Sequence, residues 1–218
     1  MIHRDLKFIY VRLAKNASTS MMTYLFCRQT QNYKNLCGEK VKYPLGTFIS
    51  GTKQIEKTFR EKLHYGYKSR DINHLPLNQI KKNLDTQIFS NYFKFGFVRN
   101  PYDRLVSAYK YAKKWYLHFK PNKSVPDFKQ FIIEIELQGK YGLQQPWVDG
   151  CDFVGRYEHI QKDFSYVCEK IGIPTTSLYK SNTTKHKDYV DFYNDELVEL
   201  VSTKFKHDID YFGYEFGE

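Results

Sequence analysis

Apolar and polar positions along the chain follow two periods, and the places where one gives way to the other divide it into elements. Lys7–Leu13 (KFIYVRL) is a β-branched and aromatic run of strand length, and a helical pattern follows from about Ser20 to Gln31. Tyr92–Arg99 is apolar on both faces, as a central parallel strand should be. Asn100-Pro101 breaks it, with proline suited to the first turn of a helix. Beyond that break Leu105, Ala108, Tyr109, Ala112, Trp115 and Tyr116 form a stripe at helical spacing. A further strand is predicted at DFVGRYEHI (152–160), then a helix over Asp163–Ile171 that stops at Gly172 and Pro174. Helices are also predicted at Glu56–Leu63, from Pro76 to near Leu84, at Asp127–Leu137 and over Asn194–Phe205, with GKYGLQQPWVDG (139–150) read as a loop. Strands alternating with helices predict an α/β fold, a central and mainly parallel sheet flanked by helices. No repeat, low-complexity tract or linker divides the chain, so residues 1–218 are read as one domain.

Two strand-to-helix turns are polar, and in such sheets ligands sit beyond the carboxyl ends of the strands. The first is Lys15-Asn16-Ala17-Ser18-Thr19-Ser20, one lysine followed by small hydroxyl residues and no glycine. Backbone N–H groups at a helix start, hydroxyl donors and a mobile ammonium suit a phosphate. The spacing is not that of a Walker A loop, because the glycines are missing and the lysine precedes the hydroxyls. Taken alone, the turn fits an ordinary helix N-cap equally well. The second turn raises the odds of a ligand. Arg99 ends a buried strand, where a guanidinium needs a partner, and Ser107 follows two turns into the next helix. A salt bridge to Asp103 or another buried carboxylate is the structural alternative, preferred for Arg104 and set aside for Arg99.

Composition narrows the partners. A hydrophobic share of 41% with 17% aromatic residues indicates a folded globular protein, and a net charge of +10 favours anionic partners. The four cysteines, Cys27, Cys37, Cys151 and Cys168, form no CxxC pair and no zinc-like spacing with histidine, so reduced thiols and no metal are expected. The first strand begins within a few residues of Met1, which leaves no room for a signal peptide, and no apolar run approaches the roughly 20 residues of a spanning helix. The Asn-x-Ser/Thr sequons at Asn16, Asn122 and Asn182 are therefore read as coincidental.

RLAKNASTS (12–20) resembles the 5′-phosphosulfate-binding loop of sulfotransferases, and FKFGFVRNPYDRLVSAY (93–109) resembles their 3′-phosphate-binding segment. Order and separation are similar to those of the carbohydrate sulfotransferases of the chondroitin, HNK-1 and heparan 2-O group. FVGRYEHIQKDFSYVCEKIGI (153–173) and the tail from Tyr193 are similar to the family's late strand and helix and its C-terminal segment. The resemblance covers most of the chain and is weakest over residues 30–70 and 115–150. It implies a P-loop-like sulfotransferase fold and the donor 3′-phosphoadenosine 5′-phosphosulfate, whose two separate anionic groups account for two polar turns. Carried over residue by residue, Lys15, Asn16, Ala17, Ser18, Thr19 and Ser20 hold the 5′ phosphosulfate. Arg99 and Ser107 hold the 3′ phosphate, Arg156 and Tyr157 lie near the nucleotide, and Lys185 belongs to a late basic loop over it. The catalytic pair implied is Lys15, meeting charge on the departing oxygen, and His74 as general base, with His64 in reserve. The implied acceptor is a hydroxyl on a polysaccharide, oligosaccharide or glycolipid, with no nucleic acid and no metal involved. The family's animal members carry a Golgi membrane anchor that this sequence lacks, so the cytoplasm is the expected location. Two alternatives stay open: a P-loop-like nucleotide kinase or phosphotransferase, and a basic nucleic-acid-binding protein.

Overall fold

The structure, a computed structural model, describes residues 1–27, 74–119, 124–138, 141–175, 178 and 189–218. The helix expected at Glu56–Leu63, together with Cys37, His64 and Lys185, lies outside the described residues. The sheet has the order β1 (Ile2–His3), β2 (Phe8–Val11), β3 (Phe93–Val98), β4 (Phe153–Arg156). β1 runs antiparallel to β2, while the β2–β3 and β3–β4 pairs are parallel. The short β1 is an addition to the expected strands.

Alternation along β2 and β3 sorts the core onto two faces. Phe8, Tyr10, Phe95 and Phe97 pack against Met21, Met22 and Leu25 of α1 (Ser18–Cys27) and Phe164, Val167 and Cys168 of α7 (Ile160–Lys170). Ile9, Val11 and Val98 face the other way, onto Leu77 and Ile80 of α2 (Leu77–Lys82), Val148 of α6 (Gln145–Val148) and Phe212 of α9 (Lys206–Phe212). A third cluster joins Tyr102, Leu105 and Ala108 of α4 (Pro101–Phe119) to Phe128, Phe131 and Ile132 of α5 (Phe128–Gln138) and Leu197 and Val201 of α8 (Asp195–Lys204). A short α3 (Thr86–Asn91), capped by Asp85, leads into β3. Gly155 pairs with Phe97, and any Cβ there would run into the Phe97 ring, so only glycine lets β4 meet β3 over that phenylalanine.

The strands are shorter than the apolar runs suggest, because the polar turn residues take their own conformations beyond each strand, while α1 and α7 begin earlier than predicted, at Ser18 and Ile160. The 139–150 stretch holds the short α6, and the expected C-terminal helix is two: α8 ends on Phe205, and α9 carries on to Gly213, whose φ of 65° closes it. Trp147 is half-buried against the second face. Cys151 and Cys168 are thiols, not joined in a disulfide. Among the described residues, no helix is long and apolar enough to cross a membrane.

The register matters most for function. Val11 pairs with Gly96, and Val98 pairs with Arg156. The turns after β2, β3 and β4 therefore leave the sheet at the same end.

Candidate functional site

The chain between β2 and α1 takes left-handed backbone at two non-glycine residues, Lys15 (φ 71°) and Ala17 (φ 53°). Each such residue costs about 1 kcal/mol relative to right-handed backbone. Contacts from the rest of the site hold this conformation. The Asn16 side chain, 1% exposed, donates from Nδ2 to Phe97 O (2.7 Å) and to Gln144 Oε1 (2.9 Å). Ala14 O accepts from Arg104 Nε (3.3 Å), Lys15 O from Arg99 Nη1 (3.0 Å), and Ser18 Oγ from Arg12 Nε (3.4 Å). With both amide hydrogens engaged, Asn16 Oδ1 is buried without a hydrogen-bond partner among the described residues.

The Lys15 ammonium lies 4.4 Å from the centroid of the exposed Tyr111 ring. Burial lowers its pKa to about 8, and the neighbouring cations Arg99 and Lys114 push in the same direction. It is a cation in a cationic neighbourhood.

Arg99 follows β3 directly. Its guanidinium is bound by Asp103 through Nε (2.8 Å) and Nη2 (2.6 Å), donates to Lys15 O from Nη1, and stacks 3.8 Å over the Tyr157 ring. The reading that set aside an Asp103 salt bridge for Arg99 is thus corrected. Asp103 lies in the first turn of α4, four residues on, and is the nearest countercharge for a guanidinium only 9% exposed. These contacts leave one hydrogen on each terminal nitrogen free for another acceptor. Arg104, expected to pair with a carboxylate, instead donates to Ala14 O and Gly142 O (3.0 Å), with Asp208 acting on it through charge. Asn100 caps α4 by accepting from Tyr102 N, and its own N–H and Nδ2 reach Glu158 and Glu215 O.

Sequence reasoning missed Gln144 and Asp208, both wholly buried. Gln144 Oε1 accepts from Asn16 Nδ2 and from Arg99 N (3.1 Å), while its Nε2 donates to Arg99 O (2.8 Å). Asp208, on α9, accepts from the backbone N–H groups of Gln144 (2.7 Å) and Gln145 (3.0 Å). Nothing in QQP separates Gln144 from its neighbour; a buried amide is recognisable only once the two turns are seen to flank it.

Ser107 sits partly exposed on α4, one turn beyond Asp103 and one before Tyr111, so these three share a side of the helix. Tyr157 lies under Arg99. Arg156 turns to the C-terminal segment, donating to Phe212 O and lying 5.1 Å from the Tyr214 ring centroid. Thr19 and Ser20 open α1 behind Ser18. His74 precedes α2, with Nδ1 3.1 Å from Arg12 O, at the end of β2 that leads into the Lys15 turn. A carbonyl only accepts, so Nδ1 carries the hydrogen and Nε2 the lone pair. Burial and the Arg12 guanidinium hold the His74 pKa below the usual histidine value.

Comparison with known proteins identifies the family. The sequence profile of the sulfotransferase family matches residues 1–215. The chain is similar to an uncharacterised protein of Archaeoglobus fulgidus, 27% identical over 122 residues, which are 53% of this chain and 97% of that protein. It is also similar to carbohydrate sulfotransferase 14 of Danio rerio, 24% identical over 181 residues (66% of this chain, 48% of that protein). Carbohydrate sulfotransferase 9 of Homo sapiens is 26% identical over 156 residues (57% of this chain, 34% of that protein). The matched segment thus spans about half and about a third of these two longer proteins. A solved sulfotransferase from Alicyclobacillus acidocaldarius aligns over 96% of both chains, with 13% identity and a TM-score of 0.48.

Proposed function

The chain belongs to the sulfotransferase family, and on that premise we propose that it transfers a sulfuryl group from 3′-phosphoadenosine 5′-phosphosulfate to a hydroxyl of a carbohydrate. The observation that carries this reading is the joining of two candidate anion loops at one end of the sheet, Lys15 O to Arg99 Nη1 and Asn16 to Arg99 through Gln144. The residues fit a ligand with two separated anionic groups. Lys15 and Arg99 are mutually repelling cations, and the terminal guanidinium nitrogens keep hydrogens to donate. The strained Lys15–Ala17 backbone is the kind of stored cost that clusters at binding sites.

In this reading the Lys15–Ser20 turn holds the 5′ end of the donor, Arg99 and Ser107 the 3′ phosphate, and Arg156 and Tyr157 flank the nucleotide. Lys185, outside the described residues, is assigned to the covering loop. The bound donor supplies an activated sulfuryl group on a phosphate leaving group. His74 accepts the acceptor hydroxyl's proton at Nε2, which its Nδ1 contact with Arg12 O keeps unprotonated. The Lys15 ammonium meets the negative charge that grows on the departing oxygen. Carbohydrate as acceptor class rests on the two relatives named carbohydrate sulfotransferases. The cytoplasmic location stays part of this proposal.

Calorimetric titration with adenosine 3′,5′-bisphosphate against ATP tests the donor. The bisphosphate should bind at least about tenfold more tightly, a preference of about 1.4 kcal/mol, and lose that preference in Arg99→Ala. Equal or tighter binding of ATP overturns the reading in favour of a phosphotransferase. Transfer of label from radioactive donor to a saccharide panel tests the acceptor.

A further inference from the structure

The two candidate anion loops come from different strands, 84 residues apart, yet one fully buried side chain touches both. Gln144 uses its amide as a spacer. Oε1 takes Asn16 Nδ2 at 2.9 Å from the first loop and Arg99 N at 3.1 Å from the second, and Nε2 returns to Arg99 O at 2.8 Å. A buried amide with its oxygen doubly bound and its nitrogen engaged has one position, since any other leaves a polar group unpaired at about 1–3 kcal/mol. Its own backbone is fixed too. Asp208, 0% exposed, receives the N–H groups of Gln144 and Gln145, so the anchor reaches through α9 to the C-terminal part of the chain. Asn16 Nδ2 also binds Phe97 O at 2.7 Å, which ties the first loop to β3 itself.

We propose that Gln144 is a positioning residue that sets the separation of the Lys15–Ser20 and Arg99 loops, so that a ligand with two anionic groups gains from both loops at once. The proposal rests on the two-phosphate reading above and adds to it a residue that touches neither phosphate. The physical basis is effective concentration: once one end of a ligand is held, the other binds well only when the second loop stands at the matching distance. Loosening the spacer spoils the joint gain and leaves each single contact in place.

The test compares three ligands, adenosine 3′,5′-bisphosphate, 3′-AMP and 5′-AMP, by calorimetry on wild type, Gln144→Asn and Gln144→Glu. Asparagine keeps the amide but is one methylene too short to reach both loops; glutamate keeps the acceptor oxygen but cannot donate to Arg99 O. Both variants are expected to lose about tenfold or more in bisphosphate affinity while each monophosphate changes by less than about threefold. A general loss of structure moves all three ligands together, and that pattern, or no change in any of them, overturns the proposal. A wild type that binds the bisphosphate no better than either monophosphate instead overturns the two-phosphate reading, and the proposal with it. If a Gln144 variant loses its native circular dichroism, Asp208→Asn loosens the same anchor from outside and should show the same selective loss, smaller in size; a uniform loss there overturns the proposal too.

Discussion

The two loops that form the candidate site are built on opposite principles. Around Arg99 nearly every group is satisfied: the guanidinium is paired, stacked and hydrogen-bonded, and Asn100 caps the helix that follows. Around Lys15 costs accumulate: left-handed backbone at two non-glycine residues, a buried amide oxygen without a partner among the described residues, and an ammonium pushed toward neutrality by burial and by its cationic neighbours. The Arg99 loop contributes to holding the fold together, and the Lys15 loop is held in place by it, through Lys15 O and Asn16. Local sacrifice at a reacting centre is tolerable when rigid surroundings enforce it.

The largest effect on stability should come from breaking the supporting side. Arg99→Ala removes a guanidinium from a mostly buried ion pair, leaving Asp103 unpaired and Lys15 O without its donor. A loss of about 3 kcal/mol in stability follows, seen as a fall of about 8 °C in thermal midpoint by calorimetry. Bisphosphate affinity should fall by about a hundredfold in the same protein. An unchanged midpoint would show that Asp103 finds another partner and that the loop does not depend on this arginine.

Lys15→Gly should do the reverse to stability. Glycine accepts φ 71° without a Cβ penalty, and the change removes a cation from beside Arg99 and Lys114. The stability gain is expected at about 0.5–1 kcal/mol, tempered by the added freedom of the unfolded chain and the lost Tyr111 contact. Turnover at saturating donor should drop by about 100- to 1,000-fold. A variant that is both less stable and fully active would invert the contrast between the loops.

That contrast also marks how far the sequence was legible. The three parallel strands were readable because their apolar runs are buried on one or both faces, and the two polar turns because they interrupt those runs. Arg99 and Lys15 stood out as charges at strand ends. Their mutual arrangement did not, since a residue's partners depend on register: the Asp103 pairing competes with every other acceptor that folding brings near. Gln144 and Asp208 were invisible for the same reason, being ordinary polar residues in ordinary segments until the fold buries them. The division of the last helix at Phe205 was equally hidden, because α8 and α9 each continue an amphipathic pattern.

His74 and Lys15 together predict a pH profile. Catalysis in this reading needs His74 neutral and Lys15 charged. His74 titrates below its usual value, so kcat/KM for the donor should rise with pH and reach its plateau by neutrality. Lys15 loses its proton around a pKa of about 8, so the same parameter should fall above that pH. An anionic donor favours the charged lysine, so the alkaline limb of kcat should lie at higher pH than that of kcat/KM. His74→Ala should remove the acid limb and slow turnover about 100-fold or more, with bisphosphate affinity within about twofold of wild type. An acid limb that persists in His74→Ala assigns it to another group, and unchanged turnover removes His74 as the base.

The smallest change separates binding from fold on the supporting side itself. Ser107 shares a side of α4 with Asp103 but is partly exposed, and the Arg99–Asp103 ion pair does not depend on it. Its hydroxyl, in the reading above, donates to the 3′ phosphate, a charged acceptor worth about 1.5 kcal/mol or more. Ser107→Ala should therefore weaken the bisphosphate and 3′-AMP by about tenfold each, leave 5′-AMP unchanged, and hold the thermal midpoint within about 1 °C. Arg99→Ala moves stability and affinity together, whereas Ser107→Ala should move affinity alone and at one end of the ligand only. Equal losses for 3′-AMP and 5′-AMP would mean that the serine acts through the helix rather than on a phosphate, and that the two loops do not divide the ligand between them.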